Sequence, residues 1–194
     1  MKTDNKLKGR DLINVGIYGA IYFVILFAVA MLGMIPIFLP LLSVLVPILG
    51  GIPFMLFLTK VKKPGMIFIF AMIMGILMLL TGMGPWPLLT CAIAGLLSEF
   101  CFKSGAYKSA KKAVLSYGLF SMWIFGNYLP LFTDYEGYFA QRAYYGQAYI
   151  DAVSKLMPLW MAPVLLLACF VCGLLGGLLG RALLKKHFEK AGIA

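Results

Sequence analysis

IPIFLPLLSVLVPILGGIPFMLFL, residues Ile35 to Leu58, carries no charge and is followed at once by TKVKK, Thr59 to Lys63. A helix through the hydrocarbon core of a bilayer, about 30 Å thick, needs about 20 apolar residues. This run exceeds that length before it meets its lysines, so it reads as a membrane span that stops at a basic surface. Pro36, Pro40, Pro47 and Pro53 with Gly50 and Gly51 interrupt it. Proline removes a backbone donor and clashes with the preceding turn, so the span is expected to be bent or partly unwound.

Cutting the rest of the chain at its charges and Gly/Pro turns gives five more apolar runs. They are residues 12–32, 66–80, 86–102, 113–131 and about 158–184. Together with residues 35–58 they predict an all-α membrane protein, one transmembrane domain over residues 1–194 with six helices. Composition agrees: 62% of the 194 residues are hydrophobic and 12% are charged, with a mean hydropathy of +0.95. A soluble domain carries about a quarter charged residues, so this chain lacks the polar surface to stay in water.

The basic residues check the span count. Lys2, Lys6, Lys8 and Arg10 precede the first run; Lys60, Lys62 and Lys63 follow the second. Lys103, Lys108, Lys111 and Lys112 follow the fourth, and Arg181, Lys185, Lys186 and Lys190 end the sixth. Of the 17 lysines and arginines, only Arg142 and Lys155 fall on the other side of a six-span arrangement. The positive-inside rule then puts both termini in the cytoplasm. The formal charge of +10 is therefore read as membrane orientation, not as nucleic-acid binding. Ala28-Val29-Ala30 also resembles a signal-peptidase site, but the apolar run continues past it and is long enough to span.

Residues 132–157, predicted to lie outside, form the most polar internal segment. Tyr138, Arg142, Tyr145 and Tyr149 share a stripe at helical spacing, and Phe139, Ala143, Gly146, Ile150 and Val153 form another. This predicts an amphipathic helix that rests on the interface, covers a binding pocket, or does both. In the fifth span Ser116, Phe120, Trp123 and Asn127 share a face. Trp123, Asn127 and the adjoining Tyr128 are pocket candidates, since aromatic walls with a few placed polar groups suit a small organic ligand. Trp86 and Trp160 begin the fourth and sixth spans, either as pocket walls or as members of the interfacial aromatic belt.

Other residues read as structural. Glu99 is the acid well inside a span; with Lys103 four residues on in the favourable order, it reads as half of an ion pair or as a contact with a partner protein. Cys169 and Cys172 form a CxxC, but within an apolar helix they read as packing residues. Cys91 and Cys101 also lie in apolar runs. Gly173/Gly177 and Gly176/Gly180 are overlapping GxxxG pairs suited to close helix contact, and Gly16 with Ala20 makes a small-xxx-small pair on the first span. No metal site or cofactor is expected. The single histidine, His187, sits in the lysine-rich tail without a partner ligand.

Lys6-Leu-Lys-Gly-Arg-Asp-Leu-Ile13, Gly16-Ile-Tyr-Gly-Ala20, Gly51-Ile-Pro-Phe-Met-Leu56 and Thr59-Lys-Val-Lys-Lys63 with Gly65 resemble the Trep_Strep family. Its members are regarded as substrate-binding (S) components of energy-coupling factor (ECF) transporters. The resemblance implies a six-helix S component of a bacterial plasma membrane that captures a vitamin or similar micronutrient from outside. It would pair with a transmembrane coupling subunit and two ATPase subunits. Gly16 and Ala20 would dock the coupling subunit, and the pocket would be built from helices four to six and the outer loops. No Gly-x-x-x-x-Gly-Lys-Ser/Thr motif is present, so ATP hydrolysis would fall to the partners. The competing reading is a membrane-embedded lipid-modifying enzyme, which would need converging acids, bases or metal ligands. Glu99 and His187 are its candidates; a channel or assembly subunit would need no ligand.

Overall fold

The computed structural model describes residues 9–60, 62–190 and 192–193, and every regular element among them is helical. Lys2, Lys6 and Lys8 of the N-terminal basic group lie outside the described residues. Helix α1 (Gly9–Ala30) runs on as a 3-10 turn to Met34, and α2 (Phe38–Lys60) follows a short turn. Then come α3 (Met66–Leu80), α4 (Trp86–Lys103) and α5 (Ala110–Ser121), which continues as 3-10 helix from Met122 to Asn127. The cap comprises α6 (Leu129–Thr133), α7 (Tyr135–Ala140), a 3-10 turn at Ala143–Tyr145, and α8 (Gln147–Leu156). The chain ends with α9 (Met161–Leu183) and α10 (Lys185–Lys190).

Four of these helices, α1 with its extension, α2, α4 and α9, are long and apolar enough to cross a membrane. Helix α3 has 15 residues, or roughly 22 Å at 1.5 Å per residue. The fifth predicted span is not one α-helix to residue 131. Its α-helical part starts at Ala110 and gives way to 3-10 helix after Ser121. The 3-10 form rises about 2.0 Å per residue, so Ala110–Asn127 reaches roughly 30 Å with few residues.

The expected unwinding of the second span is confined to residues 35–37; α2 stays helical through Pro47 and Pro53. Each proline removes one hydrogen bond, whereas unwinding among apolar neighbours would orphan several. The Tyr117 hydroxyl donates to the Pro47 carbonyl at 2.6 Å and fastens α5 to this stretch.

Contacts between helices fix their directions. Tyr22 lies against Gly50 and Gly33 against Leu39 and Leu42, so α1 and α2 are antiparallel. Gly75 meets Leu88 and Cys91 while Gly95 meets Ala71, making α3 and α4 antiparallel. Ser98 and Ser116 hydroxyls bond reciprocally across α4 and α5, and Thr90 Oγ1 donates to the Trp123 carbonyl. Ser121 Oγ donates to the Cys169 carbonyl, joining α5 to α9. Helices α2 and α9 instead run parallel, with Gly176 on Pro47 and Ile48, and Gly180 on Gly51 and Met55. The GxxxG pairs thus serve two partners: Gly173 and Gly177 face α5, and Gly176 and Gly180 face α2. Small residues allow such approach where lipid offers no hydrophobic drive between helices.

These directions gather the turns into two ends. One end holds the start of α1, the turns at residues 62–65 and 104–109, and the finish of α9. There Lys63 Nζ pairs with Asp11 Oδ2 at 2.6 Å. Burial and the neighbouring Lys108 charge lower the Lys62 pKa, which marks two basic turns lying side by side. The opposite end holds the turns at residues 31–37 and 81–85 and the cap. Between the ends, Phe54 packs against Phe57, Phe70, Tyr117 and Phe120, with ring centroids 4.5 Å apart for Phe54–Phe120. Exposed Leu12, Ile17, Val24, Ile93, Leu167 and Leu175 give the bundle an apolar exterior.

Candidate functional site

The cap is built differently from the single amphipathic helix expected over residues 132–157. Pro130 sits in the first turn of α6, which closes at Asp134, and the Asp134 side chain accepts from Gly137 N–H to start α7. The helix stops at Ala140, and Gly146, at φ +78°, redirects the chain into α8. A β-carbon disfavours that conformation, so glycine belongs there. The break still brings the predicted stripe together. Tyr145 stacks on Tyr149 with centroids 4.3 Å apart, and Phe139 packs against Tyr135, Tyr138, Tyr145 and Tyr149. Helix α8 buries Tyr149 and Val153 while Gln147, Asp151 and Lys155 stay exposed.

Three side chains fasten the cap and the residue that leads into it to the turns below and to the start of α2. The Tyr149 hydroxyl donates to the Gly33 carbonyl at 2.5 Å, and the Tyr128 hydroxyl donates to the Leu39 carbonyl at 3.0 Å. Arg142 Nη2 donates to the Gly82 carbonyl at 2.8 Å, and Nη1 to the Tyr138 carbonyl at 3.1 Å. The Arg142 guanidinium also lies 4.0 Å from the centroid of the Tyr138 ring, a cation–π contact.

Beneath the cap is a cavity of about 340 Å³, at the small end of the usual range for ligand pockets. Its wall comprises the end of α1 (Leu26, Phe27, Ala30) and its extension (Met31, Gly33, Met34), with Leu39, Leu42 and Val46 of α2. Met78, Thr81 and Met83 come from the end of α3 and its turn, Ile124, Asn127 and Tyr128 from beyond α5, and Tyr138, Tyr144 and Tyr145 from the cap. The first three helices supply most of this wall, whereas the resemblance implies a pocket built from helices four to six and the outer loops. Sequence reading missed their contribution because apolar residues at span ends look the same whether they face lipid or a cavity. Met31, Met34, Met78 and Met83 were the available signal, since methionine adapts to irregular spaces.

Four of the predicted residues, Asn127, Tyr128, Tyr138 and Tyr145, meet in that wall. Asn127 Nδ2 donates to the Ile124 carbonyl, while its Oδ1 is buried without a partner. Trp123 is wholly buried in the core. Tyr149 anchors the cap. Arg142 and Trp86 line a second cavity, of about 180 Å³, with Tyr138 and Met83 shared between the two. Trp160 is 65% exposed and lines neither cavity, as a belt residue would. Burial raises the Tyr138 pKa, with Arg142 opposing, and pushes Tyr145 up to about 12, with Tyr144 and Tyr138 adding to it. Tyr138 and Tyr145 therefore remain neutral hydrogen-bonding groups at ordinary pH.

Glu99 has a different partner from the one expected. Its Oε2 accepts the Ile67 N–H at 2.9 Å and its Oε1 accepts the Tyr107 hydroxyl at 2.7 Å, while Lys103 is exposed. A carboxylate at the start of α3 satisfies an otherwise unpaired donor and meets the positive end of the helix dipole. Gly16 and Ala20 lie on an exposed face of α1, and nothing among the described residues approaches the Gly16 β-position within 4 Å. His187 is exposed in α10, the four cysteines are free, and no cluster of metal-ligating side chains occurs among the described residues.

Apolar helices packed through glycine and serine, with a capped cavity at one end, define a helical integral membrane protein. A family profile described as a hypothetical bacterial integral membrane protein (Trep_Strep) matches residues 9–190, and the chain belongs to that family. No curated protein and no solved structure matches the chain.

Proposed function

We propose that the chain is the substrate-binding S component of an ECF-type importer in a bacterial plasma membrane. It captures a vitamin or similar micronutrient from outside and delivers it inward when joined to a coupling subunit and two ATPase subunits. The observation that carries this reading is the capped cavity at the end of the bundle opposite the basic turns. With the basic end held in the cytoplasm, α3 and the α5 span complete six crossings with the four long helices, and the cavity opens outward. The exposed Gly16 and Ala20 face supports docking of the coupling subunit. The substrate candidates are Asn127, Tyr128, Tyr138 and Tyr145 in the wall; of the other candidates, Arg142 and Trp86 border the neighbouring cavity, Tyr149 holds the cap, and Trp123 and Trp160 line neither cavity. Release follows when the inward state binds the substrate more weakly.

The experiment is in two parts. Tyr144→Cys, at an exposed position of the cavity rim, is labelled on intact cells by an impermeant reagent; labelling only after lysis places the cavity on the wrong side. The purified chain in liposomes takes up its co-purified small molecule only when the coupling and ATPase subunits and ATP are present. Uptake by the chain alone would overturn the reading.

A further inference from the structure

Resting on the reading of this cavity as the substrate site, we infer that its mouth lies in the outer leaflet and that it takes a small, uncharged, apolar ring molecule from the bilayer. Its buried wall is formed by Leu26, Val46, Met78, Ile124 and Tyr128, and the Tyr128 hydroxyl is already spent on the Leu39 carbonyl. No charged side chain among the described residues lines the cavity. Arg142 is committed to two backbone carbonyls and the Tyr138 ring, and it borders the second cavity instead. A charge moved into such a wall would lose its hydration without gaining a partner. Since an apolar cavity of about 150 Å³ admits benzene, this one suits a body of roughly two rings. Methionine and tyrosine supply polarizable and aromatic contact for it.

The mouth is set by the wall residues that remain exposed, which are Phe27, Met31 and Met34, with Thr81 and Tyr144. Phe27, Met31 and Met34 continue the exposed stripe of Ile17, Ile21 and Val24 in steps of three and four. The face of α1 that meets acyl chains therefore runs unbroken into the cavity. Phe27 lies roughly 22 Å along the helix from Leu12 at 1.5 Å per residue, in the outer half of a hydrocarbon core about 30 Å thick. On the aqueous side the cap covers the cavity, tied by Tyr149 to the turn at Gly33 and by Arg142 to the turn at Gly82. Thr81 offers little to a polar guest, since its hydroxyl donates to the Met78 carbonyl at 2.8 Å. An apolar molecule concentrates in the bilayer and reaches this mouth without crossing the cap.

The chain in lipid nanodiscs, freed of co-purified compounds, is photolabelled with three diazirines and the labelled residues are mapped by mass spectrometry. The probes are neutral phenyl(trifluoromethyl)diazirine, its para-carboxylate, and a phosphatidylcholine carrying the diazirine along one acyl chain. The neutral probe is expected to label Leu26 and Met78 inside the cavity. Excess naphthalene removes that labelling and leaves Ile17 and Val24, on the lipid face, labelled. The carboxylate leaves Leu26 and Met78 unlabelled, and the phospholipid labels Phe27 and Met31. Ala30→Phe, which fills the cavity from α1, abolishes labelling of Met78 and spares that of Val24. Carboxylate labelling of Leu26 and Met78 as strong as that by the neutral probe overturns the inference, as does labelling of Phe27 and Met31 by the carboxylate but not the phospholipid. Phospholipid labelling of Met78 that naphthalene cannot displace also overturns it, because the occupant is then a lipid chain. The liposome uptake assay separates the two readings. Uptake of a charged compound by the complete complex sinks this ligand class and leaves the importer standing. Displaceable labelling without uptake of any released compound sinks the importer and leaves a binding cavity for neutral molecules.

Discussion

Gly51 on α2 and Gly176 on α9 place two backbones in direct contact, so that a β-carbon on Gly51 would overlap the Gly176 carbonyl group. Gly180 adds to the seam: its β-position lies 2.7 Å from the Gly51 carbonyl oxygen. The contact determines how the second and last long helices lie together.

Gly51→Ala is therefore expected to destabilise the bundle by at least about 2 kcal/mol, since the obstruction is backbone and cannot rotate away. Gly16→Ala, on the open face of α1, changes stability by no more than about 1 kcal/mol, and any change is a gain in helix propensity. Thermal unfolding in one detergent compares them. Equal losses would mean that α2 and α9 do not pack in this way.

Removing the Glu99 carboxylate leaves the Ile67 N–H and the Tyr107 hydroxyl without their acceptor. Glu99→Ala should cost about 1–3 kcal/mol, whereas Lys103→Ala should stay within about 0.5 kcal/mol. The same unfolding assay decides between them; a large Lys103 effect would restore the ion pair expected from spacing.

Tyr149→Phe deletes only the hydroxyl that holds α8 to the Gly33 carbonyl, for an expected loss of about 1 kcal/mol. Arg142→Lys keeps the charge but loses the planar fork that reaches two carbonyls over the Tyr138 ring. Both should speed hydrogen exchange in residues 135–156 without altering α3 or α4. Unchanged exchange in both variants would show that these contacts do not fasten the cap.

Alkaline pH should loosen the same region. The Tyr145 pKa is raised from 10.0 to about 12 by burial first, so the folded state favours the neutral hydroxyl. Its stabilising contribution is whole below pH 10 and is lost as pH rises through about 12. Stability measured across that window should fall more steeply for the native chain than for Tyr145→Phe. Identical slopes would argue against a buried, neutral hydroxyl.

The residues differ in how far their roles could be read in advance. The run from 66 to 80 matches α3 at both ends, because Gly65 and Thr81-Gly82 punctuate an unbroken apolar stretch. Tyr138, Tyr145 and Asn127, which line the cavity, could be picked out as candidates in advance because polar groups beside apolar runs stand out. Glu99 was misassigned to Lys103, since spacing along one helix says nothing about Ile67 on another.

The sequence by itself determined that this chain consists of apolar helices with basic turns grouped by alternation, because hydration of charge and burial of hydrocarbon are local properties that each segment carries alone. Only the tertiary structure decided that α2 and α9 meet through glycine, that the cap breaks at Gly146, and that methionines of the first three helices wall the cavity. Those outcomes depend on which surfaces come within van der Waals distance, and apolar side chains of similar size do not encode their neighbours one residue at a time.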